Sequence, residues 1–300
     1  MKATITQKIL LPGIQSASGI EVVGQQLFVV GDDSSWLHAL DQTGNPLRKI
    51  SLFPSETSPD GRIPKLVKPD LEAMTLLSVD SSSQLLIIGS GSNPNRERAF
   101  LVDVAPPYPV TEHSLSRLYN SLRNSPELGP RGILNIEGLV STPERVIFLQ
   151  RGNIFGSNTL IIFAQKEFVQ FLSHPETRLP VPTFYHYFLP SVEGIPSGFS
   201  GAAAIPSSPH LILFTASVEA TENEIDDGEM LGSFAGMIDL NQPAGQPLYL
   251  APILREGQAF REKVESIAVW RETNPQSLET FAVTDSDGGD SELLRLRMEW

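Results

Sequence analysis

Five stretches of this chain share one grammar, and that internal similarity restricts its fold more than any other feature. They are "SGIEVVGQQLFVVGDD" (18–33), "DLEAMTLLSVDSSSQLLIIGSGS" (70–92), "NIEGLVSTPERVIFLQRGN" (135–153), "GFSGAAAIPSSPHLILFTAS" (198–217) and "KVESIAVWRETNPQSLETFAVTDSDGG" (263–289). Each opens with a polar residue leading a short apolar strand. After a turn comes a second, more apolar strand that ends in small or acidic residues. A third strand follows in every case ("WLHALD", "RAFLVDV", "NTLIIFA", "SFAGMIDL", "ELLRLRM"). A fourth reads clearly in "PLRKISLF", "TFYHYFLP" and "PLYLAPIL" and weakly in "PVTEHSL".

The opening residues Glu21, Glu72, Glu137, Ser200 and Glu265 are 51, 65, 63 and 65 positions apart. The last repeat has only three strands of its own, while "ATITQKILLP" at the N-terminus has no partner, so the N-terminal strand is expected to complete the last blade. Four-stranded antiparallel units repeated around an axis make an all-β propeller, here with five blades in one domain spanning 1–300. The competing arrangement is a β-sandwich with coincidental spacing. "SLSRLYNSL" (114–122) reads as a short inserted helix, with Ser114 as a candidate cap.

In a propeller the first strand of each blade lines the channel, so Glu21, Glu72, Glu137, Ser200 and Glu265 are expected to face one axis. Four carboxylates in a narrow channel require protons or a cation. The donors are all oxygen, there is no cysteine, and no histidine pair has ligand spacing. Hard oxygen donors in a roomy ring favour Ca²⁺ over Mg²⁺. The alternative is that each carboxylate accepts backbone N–H groups of the neighbouring blade, as a clasp. Glu21 has a rival in Ser18, because a small shift of its hairpin exchanges the two.

The turns after the second strands fall at the same end of the channel as the ring. There Asp32 and Asp33 are candidates for activating water, against an ordinary Asx turn. Asp285, Asp287 and Asp290 resemble a calcium loop without its full spacing. The acidic run Glu219 to Glu229 reads as a solvated loop. Lys68, Arg96, Arg98, Arg131, Arg151 and Lys263 map near the same rim, where cations would suit a small anionic ligand; Arg151, Lys68 and Arg98 are the candidate anion contacts.

A formal charge of −13, from 35 acidic and 22 basic residues, repels nucleic-acid phosphate and argues against DNA or RNA as a partner. No run is apolar enough to span a bilayer, and "MKATITQKILLPG" lacks a secretory core, so a cytoplasmic location is expected. The histidines (38, 113, 174, 186, 210) suggest neither a Ser/His/Asp nor a zinc constellation.

"GIEVVGQQLFVVGDDSSWLHAL", "NIEGLVSTPERVIFLQRGN", "SGFSGAAAIP" and "KVESIAVW" resemble the blade starts of calcium-activated nucleotidases, the soluble apyrase family. The resemblance implies a five-bladed propeller with one channel Ca²⁺ and hydrolysis of nucleoside di- and triphosphates. It assigns metal contacts to Glu72, Glu137, Ser200 and Glu265, with Ser18 competing with Glu21 in blade one. It puts Asp32 and Asp33 near the scissile phosphate and matches Arg151 to the arginine of "LQRG". The family's aspartate-rich strand has no counterpart ahead of residue 12. Esterase-like phytases and several uncharacterised bacterial propellers have similar blade starts.

Overall fold

The computed structural model describes residues 1–55, 61–79, 82–128, 133–152, 157–220, 228–242, 245–285 and 289–300. It is all-β and propeller-like, built from runs of four antiparallel strands. The first run comprises Ala17–Val23, Gln26–Gly31, Trp36–Leu40 and Pro46–Ser51, and the second Leu71–Val79, Ser82–Gly89, Arg98–Asp103 and Val110–Ser114. The third holds Ile136–Ser141, Arg145–Gln150, Asn158–Ala164 and Thr183–Tyr187, the fourth Gly198–Ala204, Leu211–Ala220, Glu229–Asp239 and Tyr249–Arg255. Lys263–Asn274, Ser277–Asp285 and Asp290–Glu299 form the last run.

The strand Lys2–Gln15 completes that run, antiparallel to the C-terminal strand from Lys2 opposite Glu299 to Gln15 opposite Asp290. Both ends of the chain are thereby locked in one sheet. Two parallel pairs, Ala3 with Ile253 and Thr4 with Leu254, tie this strand to the fourth run as well.

The first strands of the runs pack against one another in a circuit. Ala17–Val23 touches Leu71–Val79, which touches Ile136–Ser141; Gly198–Ala204 follows, then Lys263–Asn274, which returns to Ala17–Val23. Small residues permit that approach. A Cβ on Gly201 would lie 2.5 Å from the Glu265 carbonyl oxygen and 2.6 Å from Ser266 Cα, and one on Gly138 would lie 3.2 Å from Ala202 Cβ.

Alternation fills the space between sheets. The second and third strands are apolar on both faces because each sheet is covered on both sides, as "LLII" and "LIIF" require. Between the second and third runs the fill is aromatic: Phe148 is fully buried, with ring centroids 5.2 Å from Phe163 and 5.5 Å from Phe168. Phe148→Ala should therefore cost about 3–5 kcal/mol in a urea titration, through lost burial and a cavity that aromatic neighbours cannot close.

Two helices cap this cluster. Ser116–Arg123 buries Leu118, Tyr119 and Leu122, beginning two residues after the expected start; Ser114 Oγ accepts the Ser116 amide at 3.2 Å. Gln165–Ser173 buries Phe168, Phe171 and Leu172, an apolar spacing of three and four that the strand grammar concealed. No helix among the described residues is long and apolar enough to cross a membrane.

Candidate functional site

Every first strand carries a β-bulge near its start. Pairing with the second strand skips from Ala17 to Gly19, Leu71 to Ala73, Ile136 to Gly138, Phe199 to Gly201 and Val264 to Ser266. The skipped residues are Ser18, Glu72, Glu137, Ser200 and Glu265. A bulge leaves one residue out of the ladder and re-aims its side chain, so these five occupy equivalent places in the circuit. The five sites share a local pattern: an apolar residue, then Glu or Ser, then a small residue (ASG, LEA, IEG, FSG, VES).

Equivalence extends to hydrogen bonds. Ser18 Oγ donates to the Leu71 carbonyl and Ser200 Oγ to the Val264 carbonyl at 2.7 Å, each time the residue just before the next strand's glutamate. Glu21 lies three residues further along. Its carboxylate accepts the Val22 amide and, from the neighbouring first strand, the Leu76 amide, both at 3.0 Å. Glu21 is thus an inter-sheet clasp, and the bulge register gives its ring place to Ser18.

Burial, outweighing those two amide bonds, raises the Glu21 pKa from 4.5 to about 7. An acid with a raised folded pKa contributes stability below its unfolded pKa and loses it as pH climbs through the folded value. In Glu21→Gln that slope disappears. The stability difference between wild type and variant should therefore shrink from pH 4.5 towards 7 in denaturant titrations.

The three ring glutamates have different surroundings. Glu137 accepts Asn135 Nδ2 at 2.6 Å. Glu265, 3% exposed, pairs through Oε1 with Lys263 Nζ at 2.7 Å, while its buried Oε2 has no hydrogen-bond partner among the described residues. Glu72 has no hydrogen bond from any described residue, and its oxygens come together with those of Asp32 and Asp70, one from each carboxylate lying within 4.8 Å of the others.

Burial is the main cause of the raised pKa of all three; Asp70, Glu137 and Asp32 add repulsion at Glu72, lifting it well above the carboxylate range. At Glu265 burial, partly offset by Lys263 and reinforced by Glu137 and Asp285, lifts the pKa to about 8. At Glu137 the Arg151 and Lys263 charges partly offset burial.

Around the ring lies a shell of paired charges. Lys68 bridges Asp32 and Asp70, 2.9 Å from the latter, and Arg96 Nη1 reaches Asp70 at 2.7 Å. Ser90 Oγ also donates to Asp70, whose backbone is left-handed at φ 52°. Asp32 is raised to about 6, by burial first and opposed by Lys68; its buried Oδ1 has no hydrogen-bond partner among the described residues. Asp33 is turned to Arg62, which also reaches Ser16 Oγ at 2.8 Å. Arg151, 8% exposed, contacts Ser217 Oγ at 3.1 Å and Glu219 at 3.3 Å. Its stem lies across Gly198, where a Cβ would come within 2.6 Å.

Asp32, Asp70, Glu72, Glu137, Glu219, Glu265 and Asp285 stand against Lys68, Arg96, Arg151 and Lys263, an excess of three negative charges when all are ionised.

The structure brings Asp32, Glu72, Glu137, Ser200, Glu265, Lys68 and Arg151 to the head of the inner circuit. Arg98 does not join them: it pairs with Glu112 at 2.7 Å on the outermost strand and covers the Phe53 ring at 4.1 Å. Arg96, two residues earlier, is the arginine that reaches the cluster. Asp290 accepts the Gly13 amide at 3.0 Å. Arg131, Asp287 and residues 221–227 of the acidic run lie outside the described residues. Asp70 and Asn135 went unrecognised; both sit two places before a ring glutamate, a position the repeat defines but no motif marks.

The bulged inner strands and their buried charges define a propeller-like protein with an acidic cluster at the head of its inner circuit. The chain belongs to the family of unknown function DUF6929, whose model matches residues 13–298. No curated protein matches it. Among solved structures it is similar to Myxococcus xanthus glutaminyl cyclase at 12% identity, with 99% of this chain and 96% of that one covered and a TM-score of 0.54, a likeness of fold alone. The tail fiber of Staphylococcus aureus phage P68 aligns over 100% of this chain and 53% of its own, at 12% identity and TM-score 0.46. The GH43 endo-arabinanase of Bacillus licheniformis aligns at 14% identity over 96% and 94%, with TM-score 0.39.

Proposed function

We propose that this chain is a five-bladed β-propeller that binds Ca²⁺ at the head of its channel and uses it to engage a small phosphorylated molecule, as a calcium-dependent phosphohydrolase of the kind its apyrase-like blade starts resemble. The observation that carries the reading is Glu72, a carboxylate with three carboxylate neighbours and no hydrogen bond from any described residue. The donor set fits a hard cation: Glu72, Glu137 and Glu265 offer carboxylate oxygens, with one orphaned at Glu265, and the Ser18 and Ser200 hydroxyls keep lone pairs free while donating to carbonyls. A bound calcium ion would supply Lewis acidity towards a phosphoryl oxygen. Arg151 and Lys68 supply positive charge for the anion, and Asp32, with its free Oδ1, is better placed than Asp33 to take a proton from water.

The test is calcium titration of the chelated protein by calorimetry, followed by phosphate release from nucleoside diphosphates and from phytate with and without the ion. Binding that favours Ca²⁺ over Mg²⁺, with calcium-dependent turnover, supports the reading. Binding without turnover makes calcium structural, the rim then taking a carbohydrate, peptide or protein. Absence of binding removes the proposal.

Glu265 favours a second reading. A glutamate held largely protonated near neutrality beside the Lys263 ammonium is suited to donate and recover a proton. The fold-alike glutaminyl cyclase makes N-terminal glutaminyl peptides a direct assay; ammonia release that survives chelation and vanishes in Glu265→Gln would favour this reading over the first.

A further inference from the structure

The third run brings together a serine, a histidine and a glutamate that are far apart in the chain. His186 stands directly opposite Thr159 in the ladder between Asn158–Ala164 and Thr183–Tyr187. Ser157 precedes Thr159 by two residues, so strand alternation puts both hydroxyls beside the same imidazole. Ser157 Oγ lies 2.9 Å from His186 Nδ1, and His186 Nε2 lies 3.3 Å from Glu127 Oε2 in the turn Pro126–Leu128.

Proton bookkeeping orients the chain of contacts. A carboxylate only accepts, so Glu127 draws the proton of the neutral ring to Nε2 and leaves Nδ1 as an acceptor. Thr159 Oγ1 gives its single proton to the Ser157 carbonyl at 2.9 Å. Ser157 is then the hydroxyl that donates to Nδ1. Thr159 Oγ1, 3.0 Å from the same nitrogen, is placed to accept Nδ1–H once the ring gains a proton. Ser157 is exposed, and the side chains of His186 and Glu127 are 38% and 53% exposed, so an electrophile has open access.

We propose that Ser157 is a nucleophile activated by His186, with Glu127 as the positioning residue, and that this site accepts acyl groups from small activated esters. Ser157 Oγ bonds to the acyl carbon while its proton passes to His186 Nδ1. Collapse of the adduct breaks the bond to the leaving alkoxide, which takes that proton. Water then attacks the acyl-serine, gives its proton to Nδ1, and the departing Oγ recovers it, releasing the carboxylic acid. Sequence spacing suggests no such constellation, because its members come from a turn, the residue ahead of one strand and the strand paired with it only in the fold. The site is independent of the channel and needs no metal.

The experiment treats the full chain, in chelator, with a fluorophosphonate probe, maps the adduct by mass spectrometry, and follows p-nitrophenyl acetate hydrolysis. The expected result is one adduct on Ser157, absent in Ser157→Ala. His186→Ala should slow labelling and hydrolysis about 100-fold. Glu127→Gln should slow both about tenfold, with Glu127→Asp partly restoring the rate and thermal midpoints unchanged throughout. An unlabelled Ser157 in the folded protein overturns the proposal. So does His186→Ala labelling at the wild-type rate, or ester hydrolysis unaltered in Ser157→Ala.

Discussion

Gly201→Ala should lower the unfolding free energy by about 3 kcal/mol, although it adds a single methyl group. The methyl would enter the junction between the fourth and last runs, where it meets backbone atoms of Glu265 and Ser266 at 2.5 and 2.6 Å and Thr215 Oγ1 at 2.9 Å. Backbone on an adjacent first strand cannot rotate out of the way as a side-chain tip can. The strands must part, which also shifts the bulges that present Ser200 and Glu265. Gly257→Ala is the control: φ is +81° and a Cβ there meets nothing within 4 Å, so only backbone strain of about 1 kcal/mol applies. Urea titrations of the two variants should differ clearly; equal midpoints would show that the inner strands can separate without loss.

Glu72→Gln should change stability in opposite directions with and without calcium. In chelator the substitution fixes the uncharged form that burial, Asp70, Glu137 and Asp32 favour, and it breaks no hydrogen bond from any described residue. The variant should therefore be more stable than wild type at pH 8. With calcium the order should reverse, because a ligand charge is missing and affinity falls about tenfold or more.

The pH dependence follows the same logic. Glu265 ionises near 4.5 when unfolded and at about 8 when folded, so metal-free stability is fully present below 4.5 and declines as pH rises through 8. Saturating calcium should flatten that decline. Glu265→Gln, which imitates the protonated acid, should remove that decline in chelator. Differential scanning fluorimetry in chelator and in calcium separates these cases. A Glu72→Gln variant less stable than wild type in both would mean that the carboxylate supports the fold and not an ion.

Burial of the second and third strands on both faces wrote the architecture into the sequence. "LLII", "VIFLQ" and "LILF" are apolar without alternation, and turn residues punctuate them regularly, so strand identity, unit length and the N-terminal closure follow from local pattern. The helix Gln165–Ser173 escaped because its first residues are polar and it continues directly from a strand.

At the site, residue type was legible and register was not. Ser18 and Glu21 open the same strand, and a single unpaired residue decides which faces the circuit. The bulge is a property of two strands in contact, so neither sequence alone contains it. Arg96 and Arg98 likewise differ by a turn and a strand start, which sends one to Asp70 and the other to Glu112.

Periodicity in apolar residues, a short-range quantity, is what the sequence by itself determined: the strands, their grouping in fours, and the glutamates and serines at their openings. The tertiary structure alone decided which oxygens meet, which carboxylate takes no hydrogen bond from the described residues, and that Ser157, His186 and Glu127 share one hydrogen-bonded line. Those relations depend on distances of a few ångströms between segments dozens of residues apart. Such distances are fixed by packing and register, and linear order carries no trace of them.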